Sequence, residues 1–313
     1  MRKTKFSIIV PAHNEEDVIE RAIKSVQNQT FKDFEIIVSN DGSTDKTREI
    51  VEGLTKKDKR IKILNRNKGH SAAYARNRGA EIAKGEILVF LDADTYLGKE
   101  LLKKINNVSK KADAFAFHCL PVSTSFMSKV LSAFVGKSRD LKEKQYTKKD
   151  KEKPLFFCYK NKIYNKIKGY NENIFYYEDE ELVNKIYTCE GKVFFINYTG
   201  QFYELPSTFK EFTRQCKWIG KGTNSITDRR RKIKHIFIWF GKFIFLISPL
   251  FFLSKPKLAL GIFVFTFLIS YIILVFRNKQ AILSLLAMPF LYIKTFLVSF
   301  NIIKHSKDFY LRK

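Results

Sequence analysis

The first hundred residues alternate between two hydrophobic periods. Short apolar, β-branched runs fall at FSIIV (6–10), FEIIVS (34–39), IKIL (61–64) and EILVFLD (86–92). Uninterrupted runs of that length predict strands buried on both faces. Between them, residues 15–28, 44–57 and 71–84 place apolar side chains three and four apart, as at Val18, Ala22 and Val26, and Gly85 closes the third segment. That spacing predicts helices. Strand–helix alternation with short connections specifies an α/β domain built on a parallel sheet. Ligands of such sheets sit beyond the carboxyl ends of the strands. The polar residues after each strand are therefore where chemistry is expected.

A helix over 97–109, a strand over 112–118, an extended stretch at 155–159 and a turn at Gly169 continue the domain. A helix over 176–191, ended by Gly191, and a strand over 192–197 complete it. Residues 137–153 hold eight basic and four acidic groups and read as a solvated loop. After residue 225 the pattern changes. Residues 236–253, 258–276 and 281–303 are long apolar segments, and a helix of about 19 residues reaches across most of a hydrocarbon core of roughly 30 Å. The second and third are predicted membrane spans. The first either spans as well or lies in the interface as an amphipathic anchor. An in-plane first segment returns the basic tail to the cytoplasm, which the positive-inside bias favours. The predicted organisation is an α/β domain over 1–225, followed over 226–313 by a basic interfacial segment and membrane helices.

Charge changes the picture only in part. The formal net charge is +26, with +17 in residues 1–235 and +9 in residues 236–313. Much of the excess flanks the apolar segments, as in Arg229-Arg230-Arg231-Lys232, where it suits anionic lipid. No interleaved aromatic and basic recognition pattern accompanies it, so nucleic acid is not an expected partner. The four cysteines lie 27 to 39 residues apart with no CxxC, which argues for reduced thiols rather than a disulfide framework. The opening MRKTKFSIIVPAHNEE has too short an apolar run for a secretory signal, so the globular part is expected in the cytoplasm.

Three acidic clusters fall at strand exits or at a helix start: NDGSTD (40–45), DAD (92–94) and EDEE (178–181). From an extended backbone Asp92 and Asp94 would point the same way. Such a pair suits Mg²⁺ or Mn²⁺, hard cations that share oxygen ligands with a diphosphate.

The blocks VPAHNEEDVI, SNDGSTDKT, NKGHSAAYARNRGAEIAKGEILVFLDAD and GYNENIFYYEDEEL, in that order, resemble the family 2 glycosyltransferases of the GT-A fold, over roughly residues 5–222. The resemblance implies a Rossmann-like mixed sheet. It also implies inverting, metal-dependent transfer of a sugar from a nucleotide-diphosphate donor, UDP- or GDP-linked. By position, Pro11, His13 and Glu15 would line the nucleoside pocket and Asp41 would bind base or ribose. Lys68 and Arg76 would approach the donor, with Ala93 beside them. Asp92 would contact ribose or metal, Asp94 would ligate the metal, and Asp179 would be the catalytic base. Like-charged Glu178, Glu180 and Glu181 nearby would raise its proton affinity.

A base suits a sugar hydroxyl, whereas a polyprenyl phosphate is already anionic. A lipid-linked or polysaccharide acceptor at the cytoplasmic membrane face is therefore expected. The alternatives are a polyprenyl-phosphate sugar transferase and a catalytically silent membrane scaffold. Arg214-Gln215-Cys216-Lys217-Trp218 stands where membrane polysaccharide synthases of the family carry QxxRW. Arg214, Gln215 and Trp218, with Glu178, would face the acceptor or the diphosphate. The exchange of Gln for Arg214 and of Arg for Lys217 argues against a processive synthase.

Overall fold

In the computed structural model of the chain, residues 4–67, 69–132, 141–150, 158–174, 178–224, 264–265, 267–272, 286–287 and 289–299 are described, with residues 218 and 220–224 as backbone alone. The predicted alternation is present. Strands β1 (Phe6–Ala12), β2 (Phe34–Asp41), β3 (Ile61–Arg66) and β4 (Ile87–Phe90) are interleaved with helices α1 (Ile19–Gln27), α2 (Thr47–Lys57) and α3 (Ala72–Glu81). Every residue of β1 and β2 is buried. Successive side chains alternate between faces, so Ile8 and Val10 join α1 and α2 in one core layer, while Ile9 faces Ala73 and Ala80 of α3 in the other.

The rest of the sheet mixes directions. After a short strand β5 (Thr95–Leu97) come α4 (Leu101–Val108), β6 (Ala114–Val122), α5 (Phe126–Leu131), β7 (Lys144–Tyr146), β8 (Cys158–Lys160), α6 (Asn161–Lys166), α7 (Glu178–Thr188), β9 (Val193–Glu204) and α8 (Phe209–Asn224). The strand order is β3-β2-β1-β4-β8-β6-β9-β5, with β7 also on β9. Strands β3, β2, β1 and β4 run parallel. Strand β8 is antiparallel to β4 and β6, and β5 and β7 are antiparallel to β9. This is a GT-A-like mixed α/β sheet.

Two local expectations fail. Residues 144–146, within the stretch predicted to be a solvated loop, pair with β9, and Tyr146 is buried there. One aromatic anchor outweighed the surrounding charge. Nor are residues 92–94 extended: the Asp92 carbonyl accepts both the Thr95 amide (3.0 Å) and the Thr95 hydroxyl (2.8 Å), closing a turn. Gln201 then holds Thr95 Oγ1 at 2.9 Å.

The chain divides into two compact units, Met1–Leu120 with Ser138–Tyr203, and Pro121–Lys137 with Glu204–Lys313. In the second, Leu131 of α5 packs with Phe212 and Cys216 of α8 and with Val298. Large apolar side chains also stay exposed in this unit: Phe126, Phe209, Val264, Phe265, Leu268 and Phe296 among them. Among the described residues no helix is long and apolar enough to cross a membrane. Segment 236–253 lies outside the described residues, and 258–276 and 281–303 are described only in part.

Gly85 shows how tightly the first unit closes below the site. Its amide donates to Ser7 Oγ at 2.8 Å, and an added Cβ would sit 2.4 Å from the Ser7 nitrogen and 2.6 Å from the Phe6 carbonyl carbon. The backbone at the start of β1 would have to shift. The Gly85→Ala substitution is expected to destabilise the fold by about 2 kcal/mol. An unchanged urea midpoint would contradict this packing.

Candidate active site

At the carboxyl ends of β1 and β2 two loops lock together. Nδ1 of His13 donates to the Asp41 carbonyl at 2.8 Å. Asn14, at φ 59°, receives the Thr44 amide on its side chain (2.8 Å) and donates its own amide to Ser43 Oγ (2.9 Å). The Glu15 amide donates to Thr47 Oγ1 at 2.8 Å. Pro11 is buried on β1 opposite Ser39. The Asp41 side chain, 5% exposed, accepts the His70 amide at 2.6 Å and faces the His70 ring at 3.3 Å. That ring stacks on Tyr74, with centroids 4.2 Å apart. A buried carboxylate and an imidazole stacked on a phenol thus stand together at the carboxyl end of β2. The helix behind it begins cleanly, because Ser71 accepts the Tyr74 amide as an N-cap.

The second half of the site is built on one guanidinium. Arg76 of α3, 5% exposed, donates from Nη2 to Asp92 Oδ1 (2.7 Å) and from Nη1 to Glu178 Oε1 (3.0 Å). It also lies 5.2 Å from the ring centroid of Tyr170. The Tyr170 hydroxyl donates to Asp179 Oδ1 at 3.0 Å. Residues from α3, the β4 exit, the turn at 169–170 and α7 therefore meet in one connected cluster. Burial pushes the Asp179 carboxyl up to about 6, with Glu178 and Asp92 adding to the rise and Arg76 and Tyr170 opposing it. Asp94 opens to solvent, yet the protein packed around it, followed by Asp92, raises its carboxyl to about 6 as well. Cys119, close by, stays a thiol: burial, then Asp92 and Asp94, push it up to about 12.

The turn that presents Tyr170 is held from α3. Gly169 has φ 60°, and an added Cβ would lie 2.6 Å from Asn77 Oδ1. Asn77 accepts the Tyr170 amide (3.0 Å) and donates to the Tyr170 carbonyl (2.9 Å). Consecutive residues of one helix, Arg76 and Asn77, thus fix the acids and the tyrosine together.

Of the predicted site residues, Arg76, Asp92, Glu178 and Asp179 share this cluster, with Ala93 buried in the turn beside it. Asp94 follows on the same turn, within electrostatic reach of Arg76 and Asp92. His13 and Asp41 meet where β1 and β2 end. Arg214 and Gln215 are exposed on α8 in the second unit. Lys68 and the side chain of Trp218 lie outside the described residues. His70, Asn77 and Tyr170 were not singled out from the sequence. All three sit within the quoted blocks NKGHSAAYARNRG and GYNENIFYYEDEEL, but their partners lie 29, 93 and 9 residues away.

Fold and site together describe a GT-A-like α/β domain with an acidic centre at the carboxyl end of its parallel strands. The family description "Glycosyl transferase family 2" matches residues 7–168, and the chain belongs to that family. It is similar to a "GalNAc(5)-diNAcBac-PP-undecaprenol beta-1,3-glucosyltransferase" of Campylobacter jejuni, 36% identical over 207 residues, 64% of this chain and 65% of that protein. It is also similar to a "Poly(ribitol-phosphate) beta-glucosyltransferase" of Bacillus spizizenii, 40% identical over 111 residues, 34% of this chain and 17% of that one. The chain thus spans less than two thirds of the length of either relative. Residues 1–349 of S. aureus TarS, crystallised with UDP-GlcNAc, share the fold, with a TM-score of 0.55 at 18% identity over 99% of this chain and 92% of that one.

Removing the guanidinium leaves Glu178 buried beside a second acid with no counter-charge. The Arg76→Met variant is expected to lose about 3 kcal/mol of stability at pH 8. The loss should shrink at pH 5, where the stranded carboxylates take up protons. Urea unfolding at the two pH values reads it, and an equal loss at both would contradict the pairing.

Proposed function

We propose that the chain transfers a sugar, with inversion, from a UDP-sugar to a hydroxyl of a lipid-linked or polymeric glycan acceptor. The observation that carries this reading is the Arg76-centred cluster, which joins Asp92 of the strand exit to Asp179 of α7 at the carboxyl end of the sheet. Asp41 and His70, which meet at the carboxyl end of β2, receive the uridine. That assignment is supported by the UDP-GlcNAc bound in TarS, a protein of the same fold. The acceptor class is supported by the undecaprenol-linked and poly(ribitol-phosphate) glycans named for the two relatives.

A divalent cation, Mg²⁺ or Mn²⁺, fits the residues present. Asp94 is exposed on the turn it shares with Asp92; the protein around it and then Asp92 raise its proton affinity, and a hard cation would offset the second of these. Among the described residues, no group of three or more His, Cys, Asp or Glu gathers to hold an ion, so Asp92 and Asp94 would hold it only together with oxygens from the donor. When bound, the cation stabilises the charge that develops on the leaving diphosphate.

The remaining work falls to the protein. Asp179 takes the proton of the acceptor hydroxyl as its oxygen bonds to the anomeric carbon, and the bond to phosphate breaks with its electron pair leaving on the nucleotide. Arg76 holds Asp92 and Glu178 in place during that exchange. The exposed apolar side chains of the second unit and the long apolar segments after residue 235 support a membrane-anchored enzyme with its catalytic domain on the cytoplasmic side.

A base must be ionised to act, and burial raises the Asp179 carboxyl above the ordinary aspartate range, so kcat/KM should climb with pH above that range and then level off. Asp179→Asn and Asp94→Ala should each lower transfer at pH 7.5 by about 10³-fold or more. Transfer of radiolabelled sugar from UDP-linked donors to extracted lipid-linked glycan, with Mn²⁺ present, measures all three. Full activity in Asp179→Asn would end the reading of that residue as the base.

A further inference from the structure

The geometry points to Tyr170 as a positioning residue: its hydroxyl fixes Asp179 through Oδ1 and leaves Oδ2 to receive the proton of the acceptor. This inference rests on Asp179 being the base. Two observations separate it from ordinary packing. The Tyr170 ring meets Phe90 edge-on with centroids 5.4 Å apart, lies 6.1 Å from Tyr164 and faces Arg76. A phenylalanine would serve every one of those contacts. The hydroxyl is the part they do not need, and a hydroxyl in a site only 2% exposed is costly without a partner. Its partner is Asp179.

The second observation is the way the turn is held. Asn77 grips the Tyr170 backbone at both its amide and its carbonyl, and Gly169 supplies the positive φ that brings the chain close to Asn77. With the backbone fixed at both groups and the ring packed against Phe90 and Tyr164, the hydroxyl is held on Asp179. The groups that face Asp179 are Arg76 from α3, Asp92 from the β4 exit, Glu178 on its own helix and the two buried phenols, Tyr170 and Tyr159 of β8. Burial keeps both phenols protonated far above neutrality. An ionised carboxylate has no proton to offer, so Tyr170 gives its own to Asp179. Tyr159 is hydrogen-bonded to Tyr170 in turn, and chains of this kind strengthen each link.

The hydrogen bond opposes the burial that would otherwise keep Asp179 protonated. Its removal therefore raises the proton affinity of the base, and the loss of activity must be worst at low pH. In Tyr170→Phe the acid limb of kcat/KM should rise by about one pH unit, with kcat at pH 6.5 lowered about tenfold, partial recovery by pH 8.5, and an unchanged KM for the UDP-sugar. Tyr159→Phe should move the limb in the same direction by less, and it carries the test should Tyr170→Phe not fold. Wild-type acid limbs in these variants, alongside an inactive Asp179→Asn, would overturn the role of Tyr170 and leave Asp179 as the base. An active Asp179→Asn would instead overturn the base assignment and this inference with it.

Discussion

A guanidinium removed from water must find its counter-charges inside the protein, and Arg76 finds them on segments far apart in sequence. Its Nη1 and Nη2 reach Glu178, 102 residues away, and Asp92, 16 residues away. Desolvation alone would drive the charge off; Asp92, Asp179 and Glu178 hold it. The planar fork makes this possible, since each terminal nitrogen serves a different carboxylate along a fixed direction. An ammonium is a point charge with no such fork. Arg76 therefore decides where the exit of β4 and the start of α7 lie relative to each other, and the acidic centre exists because that one charge compensates it.

How much of this could be read from the sequence depends on whether a feature is local. The buried parallel strands were legible because each is a run of apolar residues long enough to exclude other readings. The helices between them were legible from their spacing, although α1 begins at Ile19, after a loop that the 41–47 segment pins. Strands β5, β7 and β8 are three residues each. They carry no period; β8 overlaps the extended stretch predicted at 155–159, while β5 and β7 become strands only by pairing with distant β9. The DAD segment misled for a related reason. Alternation from β4 predicts an extended pair, but the Thr95 side chain competes for the Asp92 carbonyl and turns the chain.

The site divides along the same line. Asp41, Asp92, Asp94 and Asp179 stand out as acids placed after strands or at a helix start. Nothing local marks His70, Asn77 or Tyr170 as parts of the same centre, because each acquires its role from a contact that the fold creates. Asn77 is the clearest case. Within a helical pattern it is an unremarked polar residue, yet it clamps the 169–170 turn through both backbone groups.

An acidic cleft in a chain of net charge +26 poses a question about the donor, whose diphosphate is itself an anion. Four carboxylates gathered at one end of the sheet would repel it at close range. Two of them, Asp92 and Glu178, spend their charge on Arg76 and present little of it outward. Asp179 is turned inward against Tyr170. What remains is Asp94, exposed on its turn, whose carboxyl is raised to about 6 first by the protein packed around it and then by Asp92. The repulsion that the fold leaves unresolved is thus confined to one exposed side chain, and a cation bound there with the diphosphate would resolve it. The rest of the basic surface is free to draw the anionic donor in.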